Sequence, residues 1–309
     1  MSDIPKKPDV AIVGAGPAGL SAALWCDELG LELVLLEMEN EPGGQLLWTY
    51  NKIENYLGFT ASNGEEIRDR FIDQVSRRDI RPVCGVGVSA VSFDPLELNL
   101  TDGSLIKPNA LIIATGVRRN IPELPGIERF KGRGLIESGK RDKALAKDKT
   151  AIVVGGGDAA FENALILSQT AKKVFLIHRR EGFRARQEFI QAVNDHDQIE
   201  ILTNTEVSSL NGNESLESVS IASTKSRDRS DLAAELVIFR LGVKPNSEVF
   251  GPGLELDRRG YIRTDSTCRT NLPGVYAAGD VANPLSPTIS SAAGMGSTAA
   301  KSIYSWLKG

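Results

Sequence analysis

The sequence predicts an α/β protein made of two dinucleotide-binding domains, the second inserted into the first. Three observations carry that expectation. Two glycine fingerprints, Gly14-Ala15-Gly16-Pro17-Ala18-Gly19 and Gly155-Gly156-Gly157-Asp158-Ala159-Ala160, lie 141 residues apart. Each follows a short apolar run, Val10 to Val13 and Ala151 to Val154, and opens a helix-like stretch. A βαβ unit that binds a dinucleotide needs that context: glycines for the tight turn, and a helix N-terminus aimed at a pyrophosphate. Finally, the residue 23 positions after each leading glycine closes the next strand and differs in kind, Glu37 in the first copy and His178 in the second.

The elements follow in order. Leu33-Val34-Leu35-Leu36 runs into Glu37, whose carboxylate suits both hydroxyls of a ribose. Val174-Phe175-Leu176-Ile177 runs into His178, followed by Arg179, Arg180 and Arg184, and guanidinium groups there suit a 2′-phosphate instead. The first fingerprint therefore reads as the site of an unphosphorylated dinucleotide, FAD or NAD, and the second as that of NADPH. Residues 9 to about 117 alternate strand-like and helix-like patterns and close on Ala110-Leu111-Ile112-Ile113-Ala114-Thr115-Gly116. Pro122 and Pro125 stiffen the connection to the second fingerprint. That unit continues through Phe183 and an amphipathic stretch to strand-like Ile199-Glu200-Ile201-Leu202, with a hairpin-like turn at Asn211-Gly212-Asn213. Leu236 to Gly242 repeats the closing-strand pattern, and from about Lys244 the chain returns to the first domain through Leu272-Pro273-Gly274-Val275-Tyr276-Ala277-Ala278-Gly279-Asp280. The expected boundaries are 1–117 with 244–309 for the first domain and 118–243 for the second.

Composition narrows the function. A chain of 309 residues is long for one core and comfortable for two. No apolar run approaches the ~20 residues that span a bilayer, and Met1-Ser2-Asp3-Ile4-Pro5-Lys6-Lys7-Pro8 has no apolar signal region. The expectation is a cytoplasmic protein that does not engage a membrane. A net charge of −4 argues against general nucleic-acid binding. Three cysteines far apart in sequence fit a reduced compartment, and with two histidines they offer no metal site. Cys26 reads as a small buried residue on the first helix, Cys84 and Cys268 as equally inert, and His196 as a solvated loop histidine.

With Gly43-Gly44-Gln45-Leu46, Glu54-Asn55-Tyr56, Ala114-Thr115-Gly116, His178-Arg179-Arg180 through Arg184-Ala185, and Ala277-Ala278-Gly279-Asp280, the sequence resembles the low-molecular-weight thioredoxin reductases almost end to end. The resemblance implies Rossmann-like domains of the three-layer ββα type, FAD in the first, NADPH in the second, and a homodimer. It assigns Glu37 to the adenosine ribose of FAD and Asp280 to the ribityl chain. Thr288 and Ile289, opening the last helix, would present N–H groups to the pyrimidine edge of the flavin, where negative charge builds on reduction. Gly14, Gly16, Pro17, Ala18, Gly19, Gly44, Gln45, Leu46, Asn55, Thr115, Gly116 and Gly279 complete the FAD set. Gly155, Gly157, Asp158, Ala159, Ala160, His178, Arg179, Arg180 and Arg184 form the NADPH set.

One motif departs from that family. Its redox pair, Cys-x-x-Cys-Asp, falls on Ser138-Gly139-Lys140-Arg141-Asp142, and no C-x-x-C occurs elsewhere. Without a thiolate no mixed disulfide forms, so ordinary thioredoxin reduction should be absent. Asp142 keeps the position of the family's acid and is a candidate proton donor. Around it, Lys131 to Lys149 carries seven basic residues against three acidic ones, a local excess of four positive charges. That run reads either as a solvated linker or as a docking face for an acidic electron carrier. Thioredoxin-reductase-like ferredoxin–NADP reductases also lack the pair and share Gly-Gly-Gly-Asp, but they carry a C-terminal extension over the flavin that has no counterpart after Leu307-Lys308-Gly309. The expected activity is an FAD-dependent NADPH oxidoreductase with the flavin as its only redox relay. Ferredoxin or flavodoxin is the first choice of acceptor, and a quinone or another small molecule the second. The alternative is a redox sensor that retains both pockets without turnover.

Replacing Arg179 and Arg180 with Ala should raise the NADPH concentration required for half-saturation and leave NADH nearly untouched. Charge-assisted hydrogen bonds contribute about 1.5–3 kcal/mol each, so steady-state titration with both nucleotides will resolve the loss. Equal use of NADH and NADPH by the wild type would refute the charge argument.

Overall fold

The computed structural model describes residues 4–226 and 228–309. The chain divides into two compact units, Met1–Arg118 with Lys244–Gly309, and Arg119–Val243. The first segment contains β1 (Val10–Val13), α1 (Pro17–Glu28), β2 (Leu33–Glu37), α2 (Gly64–Ser76), β3 (Val83–Cys84), β4 (Val88–Phe93), β5 (Leu96–Leu100), β6 (Leu105–Ile106), β7 (Ala110–Ile113) and β8 (Val117–Arg119). Then come α3 (Ile127–Phe130), β9 (Thr150–Gly155), α4 (Asp158–Ser168), β10 (Lys173–Ile177), α5 (Gln187–Asn194), β11 (Ile199–Leu202), β12 (Thr205–Asn211), β13 (Ser218–Ser223), β14 (Arg229–Ala233) and β15 (Leu236–Arg240). The chain returns through β16 (Val243–Pro245), which pairs with β8, and ends with β17 (Val275–Ala277) and α6 (Ile289–Lys308).

Each unit is built in three layers around a parallel sheet. The first sheet has the order β17-β7-β1-β2-β3. Side chains alternate across it, as the pleat requires. Val10, Ile12, Leu35, Ile112 and Tyr276 pack with α1 and α6, whereas Ala11, Val13, Leu36, Leu111 and Ile113 pack with Leu98, Leu100 and Ile106 of the antiparallel β4-β5-β6 sheet. The second sheet, β11-β10-β9-β15, repeats the plan. Ala151, Val153, Leu176 and Ile238 face α4, and Ile152, Val154, Ile177 and Val237 face the β12-β13-β14 sheet. Burial on both faces explains why the sequence of these strands is apolar throughout rather than alternating. The expected ββα architecture is borne out in both units.

Register proves the equivalence that the sequence offset implied. Val13 pairs with Leu36 and Val154 with Ile177, so Glu37 and His178 stand at the same place one residue beyond their last partners. The hairpin-like turn expected at Asn211-Gly212-Asn213 joins β12 to its antiparallel partner β13, with Asn211 opposite Ser218, and its loop of residues 212–217 folds back through Glu217 N to Asn211 O. No helix among the described residues is long and apolar enough to cross a membrane.

Small residues let α1 and α6 approach closely. A Cβ on Gly296 would overlap the Ala18 carbonyl oxygen and lie 3.0 Å from the Ala22 nitrogen, whereas one on Gly294 would meet nothing within 4 Å. Gly296→Ala should therefore destabilise the protein by about 1–3 kcal/mol through overpacking. Gly294→Ala on the same helix should be neutral or stabilising by about 0.5–1 kcal/mol, since helical glycine carries an entropic penalty. Urea unfolding of the two variants tests the contrast, and equal effects would contradict this packing.

Candidate dinucleotide sites

The first fingerprint loop leaves β1 and turns into α1 under tight steric control. Gly14 has φ +106°, and a Cβ there would overlap the Ala114 carbonyl oxygen at the end of β7. One on Gly19 would overlap the Gly14 carbonyl oxygen. Gly16, by contrast, has open space beside it, with Gly44 Cα 3.9 Å from where its Cβ would be. Two of the three glycines thus close the helix against the strand, and the third leaves room for a backbone-bound anion. Gly16 caps α1 without a side-chain hydrogen bond, and Pro17 follows at the start of the helix. The unpaired N–H groups of that first turn are donors for a pyrophosphate.

The surrounding candidates converge on this loop. Glu37 is buried (8% exposed), and its Oε2 accepts from Ala15 N at 2.8 Å while Oε1 accepts from Glu39 N at 3.0 Å. These bonds fix the carboxylate beside the loop and leave further lone pairs for ribose hydroxyls. Gly43 N donates to Ala15 O, Gln45 Nε2 donates to Val117 O at 2.7 Å, and a Cβ on Gly279 would lie 2.8 Å from Ala18 Cβ. Thr115 Oγ1 donates to Asn246 O, Asn246 Nδ2 donates to Thr115 O, and Asn246 N donates to Gly116 O. Asn246 was invisible to sequence reasoning, because it lies 131 residues from its partner and belongs to no motif.

Asp280 supplies the clearest sign of an organic ligand. Burial pushes its carboxyl above the usual range, yet no side chain or backbone group among the described residues bonds it. A half-buried, unpartnered acceptor fits a polyhydroxyl chain. Thr288 caps α6 by accepting from Ser291 N at 3.2 Å, and Ile289 at the head of that helix joins Leu46 in one apolar cluster. Asn55 stands exposed, and no hydrogen bond ties it to this group among the described residues.

The second fingerprint solves the same problem with different atoms. A Cβ on Gly155 would lie 2.5 Å from the Arg240 carbonyl oxygen, and Ala160 occupies the helix position that Gly19 fills in the first copy. Gly157 has nothing within 4 Å of a Cβ, so this turn also leaves room for a pyrophosphate, and α4 too lacks a side-chain cap. Gly156 is required by His178: a Cβ there would overlap the imidazole ring, which also leans on Phe183 at 5.4 Å. Burial, with the charges of Arg180, Arg179 and Arg184 behind it, holds the His178 pKa below the ordinary histidine value. The ring is therefore neutral at pH 7.

Arg179, Arg180 and Arg184 are exposed, and Arg184 N donates to Gly156 O at 2.8 Å, which pins the arginine loop to the fingerprint. Asp158 opens α4, but its carboxylate accepts from Arg186 N at 2.7 Å and Arg186 Nε at 2.8 Å, which hold it below the usual carboxylate range. Ala159 is exposed, and its carbonyl accepts from Asn163 Nδ2. The residues of both loops fit an adenine dinucleotide.

The segment in place of the redox pair is a sealed turn. Ser138 is 5% exposed, and its Oγ accepts from Arg141 N at 3.2 Å. Gly139 N donates to Asn163 Oδ1 at 2.9 Å, and a Cβ on Gly139 would lie 2.5 Å from that oxygen. Arg240, whose burial lowers its pKa to about 10, donates to Glu137 O and Asn163 Oδ1. Asp142 accepts from Glu137 N, Ser138 N and the Arg141 guanidinium. Burial pushes the Asp142 carboxyl up, but Arg141 and the Ser138 and Glu137 N–H groups outweigh it and hold the group below the usual range. It is an ionised acceptor with its oxygens occupied.

The remaining singular residues are structural. Cys26 and Cys268 are buried, and burial pushes their thiols up to about 12 and about 11. The expectation for His196 needs correction. It is half-buried, with Nε2 3.0 Å from Ser168 Oγ and Nδ1 facing Gln198 N, because the loop after α5 folds back onto α4.

Gly156→Ala should displace His178 and destabilise the protein by about 1–3 kcal/mol. Adding His178→Ala should recover most of that loss, a coupling that a double-mutant unfolding cycle will measure. Strict additivity would contradict the contact.

Comparison with known proteins agrees with this geometry. Residues 8–296 match the family described as pyridine nucleotide-disulphide oxidoreductase. The chain is 33% identical over 304 residues to a thioredoxin reductase of Mycolicibacterium smegmatis, covering 97% of this chain and 96% of that one. It is 30% identical over 313 residues to a 34.2 kDa protein in the rubredoxin operon of Clostridium pasteurianum, covering 98% of each. The structure of Lactococcus lactis thioredoxin reductase superposes with a TM-score of 0.84 at 29% identity, covering 97% of this chain and 99% of that one. The chain thus belongs to the pyridine nucleotide-disulphide oxidoreductase family as a thioredoxin reductase-like, NADPH-dependent flavoprotein oxidoreductase with FAD and NADPH as its cofactors.

Proposed function

We propose that the first unit holds FAD, the second holds NADPH, and electrons pass from the flavin directly to an external acceptor with no protein disulfide between them. The observation that carries this reading is the Ser138–Asp142 turn, in which serine and arginine stand at the redox positions, the Ser138 hydroxyl and the Asp142 carboxylate are engaged within the turn, and Gly139 N and Glu137 O are held by Asn163 and Arg240. FAD supplies two-electron uptake from NADPH and onward transfer to a partner. The protein supplies binding, orientation and charge. Glu37 would hold the adenosine ribose of FAD, the first turn of α1 its pyrophosphate and Asp280 its ribityl hydroxyls. The first-turn N–H groups of α6 other than Ser291 N, which Thr288 caps, would face the flavin ring, with the positive end of a 20-residue helix behind them. Arg179, Arg180 and Arg184 would receive the 2′-phosphate of NADPH. Asp142 acts as the clasp of its turn rather than as a proton donor. The working form is a cytoplasmic homodimer.

The favoured acceptor is a small acidic electron carrier, ferredoxin or flavodoxin. Within the basic segment, Lys131 pairs with Glu128, Arg141 pairs with Asp142, and Lys143 bonds Gln169. Lys140, Lys147 and Lys149 are exposed and make no ion pair among the described residues. Unneutralised lysines steer an acidic partner in solution. The relative named for a rubredoxin operon supports the same class of partner.

Anaerobic NADPH should reduce the flavin of the purified protein without adding a titratable thiol, and thioredoxin should not be turned over. Carrier reduction should slow as ionic strength rises past ~0.15 M, where charges more than ~8 Å apart are screened. Lys140→Glu with Lys147→Glu should slow it about tenfold or more at low salt and leave reduction of a small neutral acceptor unchanged. Robust thioredoxin reduction would overturn the direct-transfer reading, and salt-insensitive carrier reduction would overturn the docking face alone.

A further inference from the structure

The hairpin between β13 and β14 meets the arginine loop from a part of the chain outside the motif. Thr224 N donates to Asn204 O at 2.7 Å, Asn204 N donates to Arg180 O at 3.4 Å, and Thr224 Oγ1 donates to Arg179 O at 3.3 Å. The turn itself is fixed by Ser223 Oγ, which accepts from Lys225 N at 3.2 Å and Ser226 N at 3.1 Å. These bonds bring Lys225 to the loop, where its Nζ lies 3.3 Å from Glu181 Oε2. Glu181 is the only acidic residue between His178 and Gln187. Arg179, Arg180 and Arg184 make no ion pair among the described residues, so the one carboxylate in their midst is engaged by Lys225 instead.

We infer that Lys225 is a further specificity-determining cation of the 2′-phosphate site, and that Glu181 is a built-in anion competing with the phosphate for it. This rests on the reading of the second unit as the NADPH site. A carboxylate beside three arginines keeps an otherwise uncompensated cluster tolerable when no nucleotide is present. It also repels the incoming phosphate and occupies the lysine that would meet it. Both side chains are largely exposed, 66% for Lys225 and 82% for Glu181, so exchanging partners requires only rotamer changes.

Calorimetric binding of 2′,5′-ADP and 5′-AMP to the FAD-loaded protein separates the contributions, because the two probes differ by the 2′-phosphate alone. Lys225→Ala should weaken 2′,5′-ADP three- to tenfold and leave 5′-AMP unchanged. Glu181→Gln should tighten 2′,5′-ADP by a similar factor, and that gain should shrink when Lys225 is also Ala. Arg179→Ala serves as the control for the underlying reading and should weaken 2′,5′-ADP on its own. If Arg179→Ala costs affinity and Lys225→Ala does not, the Lys225 assignment falls and the NADPH site stands. If the wild type binds both probes equally, the NADPH reading fails and takes the assignment with it. A Lys225→Ala loss of the same size for 5′-AMP would overturn the inference as well, since it would mark a general structural effect.

Discussion

In the first unit α1 leaves the sheet so close to β1 that residue 19 has no room for a side chain: a Cβ there would overlap the Gly14 carbonyl oxygen. That approach governs the rest of the site. It aims the uncapped first turn of α1 across the open space beside Gly16, and it lets Gly44 and Gly279 close in from other parts of the chain. Helix N-terminal N–H groups are strong anion donors only when nothing else satisfies them and a ligand can come near. The glycines meet both conditions by omission of atoms.

The two units answer one question, what stands at the end of the second strand, in opposite ways, and the loop residue follows the answer. Glu37 reaches back to the N–H of Ala15, and the methyl group of alanine is tolerated. His178 lies over the backbone of Gly156, and a methyl group there is not tolerated. The Ala-to-Gly difference inside the fingerprints is a steric consequence of the Glu-to-His difference 22 residues later. Charge follows suit. The carboxylate presents acceptors to hydroxyls, whereas a neutral ring flanked by three arginines presents cations to an anion.

Much of this was legible because the sequence repeats itself. The fingerprints, the strand ends and the insertion of one βαβ unit into the other follow from local pattern plus the 141-residue offset, and the ββα layering from the family resemblance. What escaped notice depends on partners distant in sequence and unremarkable in type. Asn246 holds Thr115, Asn163 and Arg240 seal the turn at Ser138, and Lys225 reaches Glu181, each through hydrogen bonds or ion pairs that no periodicity announces. His196 illustrates the same limit: flanked by Asp195 and Asp197 it looks solvated, and only the fold brings Ser168 to it. Asp142 shows the reverse case, a residue whose position suggested chemistry and whose hydrogen bonds describe a clasp.

The split of the first unit has a consequence for how the chain matures on the ribosome. Its sheet order, β17-β7-β1-β2-β3, leaves β7 as an edge strand until residues 275–277 have been made. The apolar face of α1 likewise waits for α6, the last 20-residue helix. The second unit, which draws its whole sheet and core from residues 119–243, has every strand it needs well before then. Synthesis therefore delivers a completed nucleotide domain flanked by an unfinished one, whose bare strand edge and helix face form a natural client surface for chaperones.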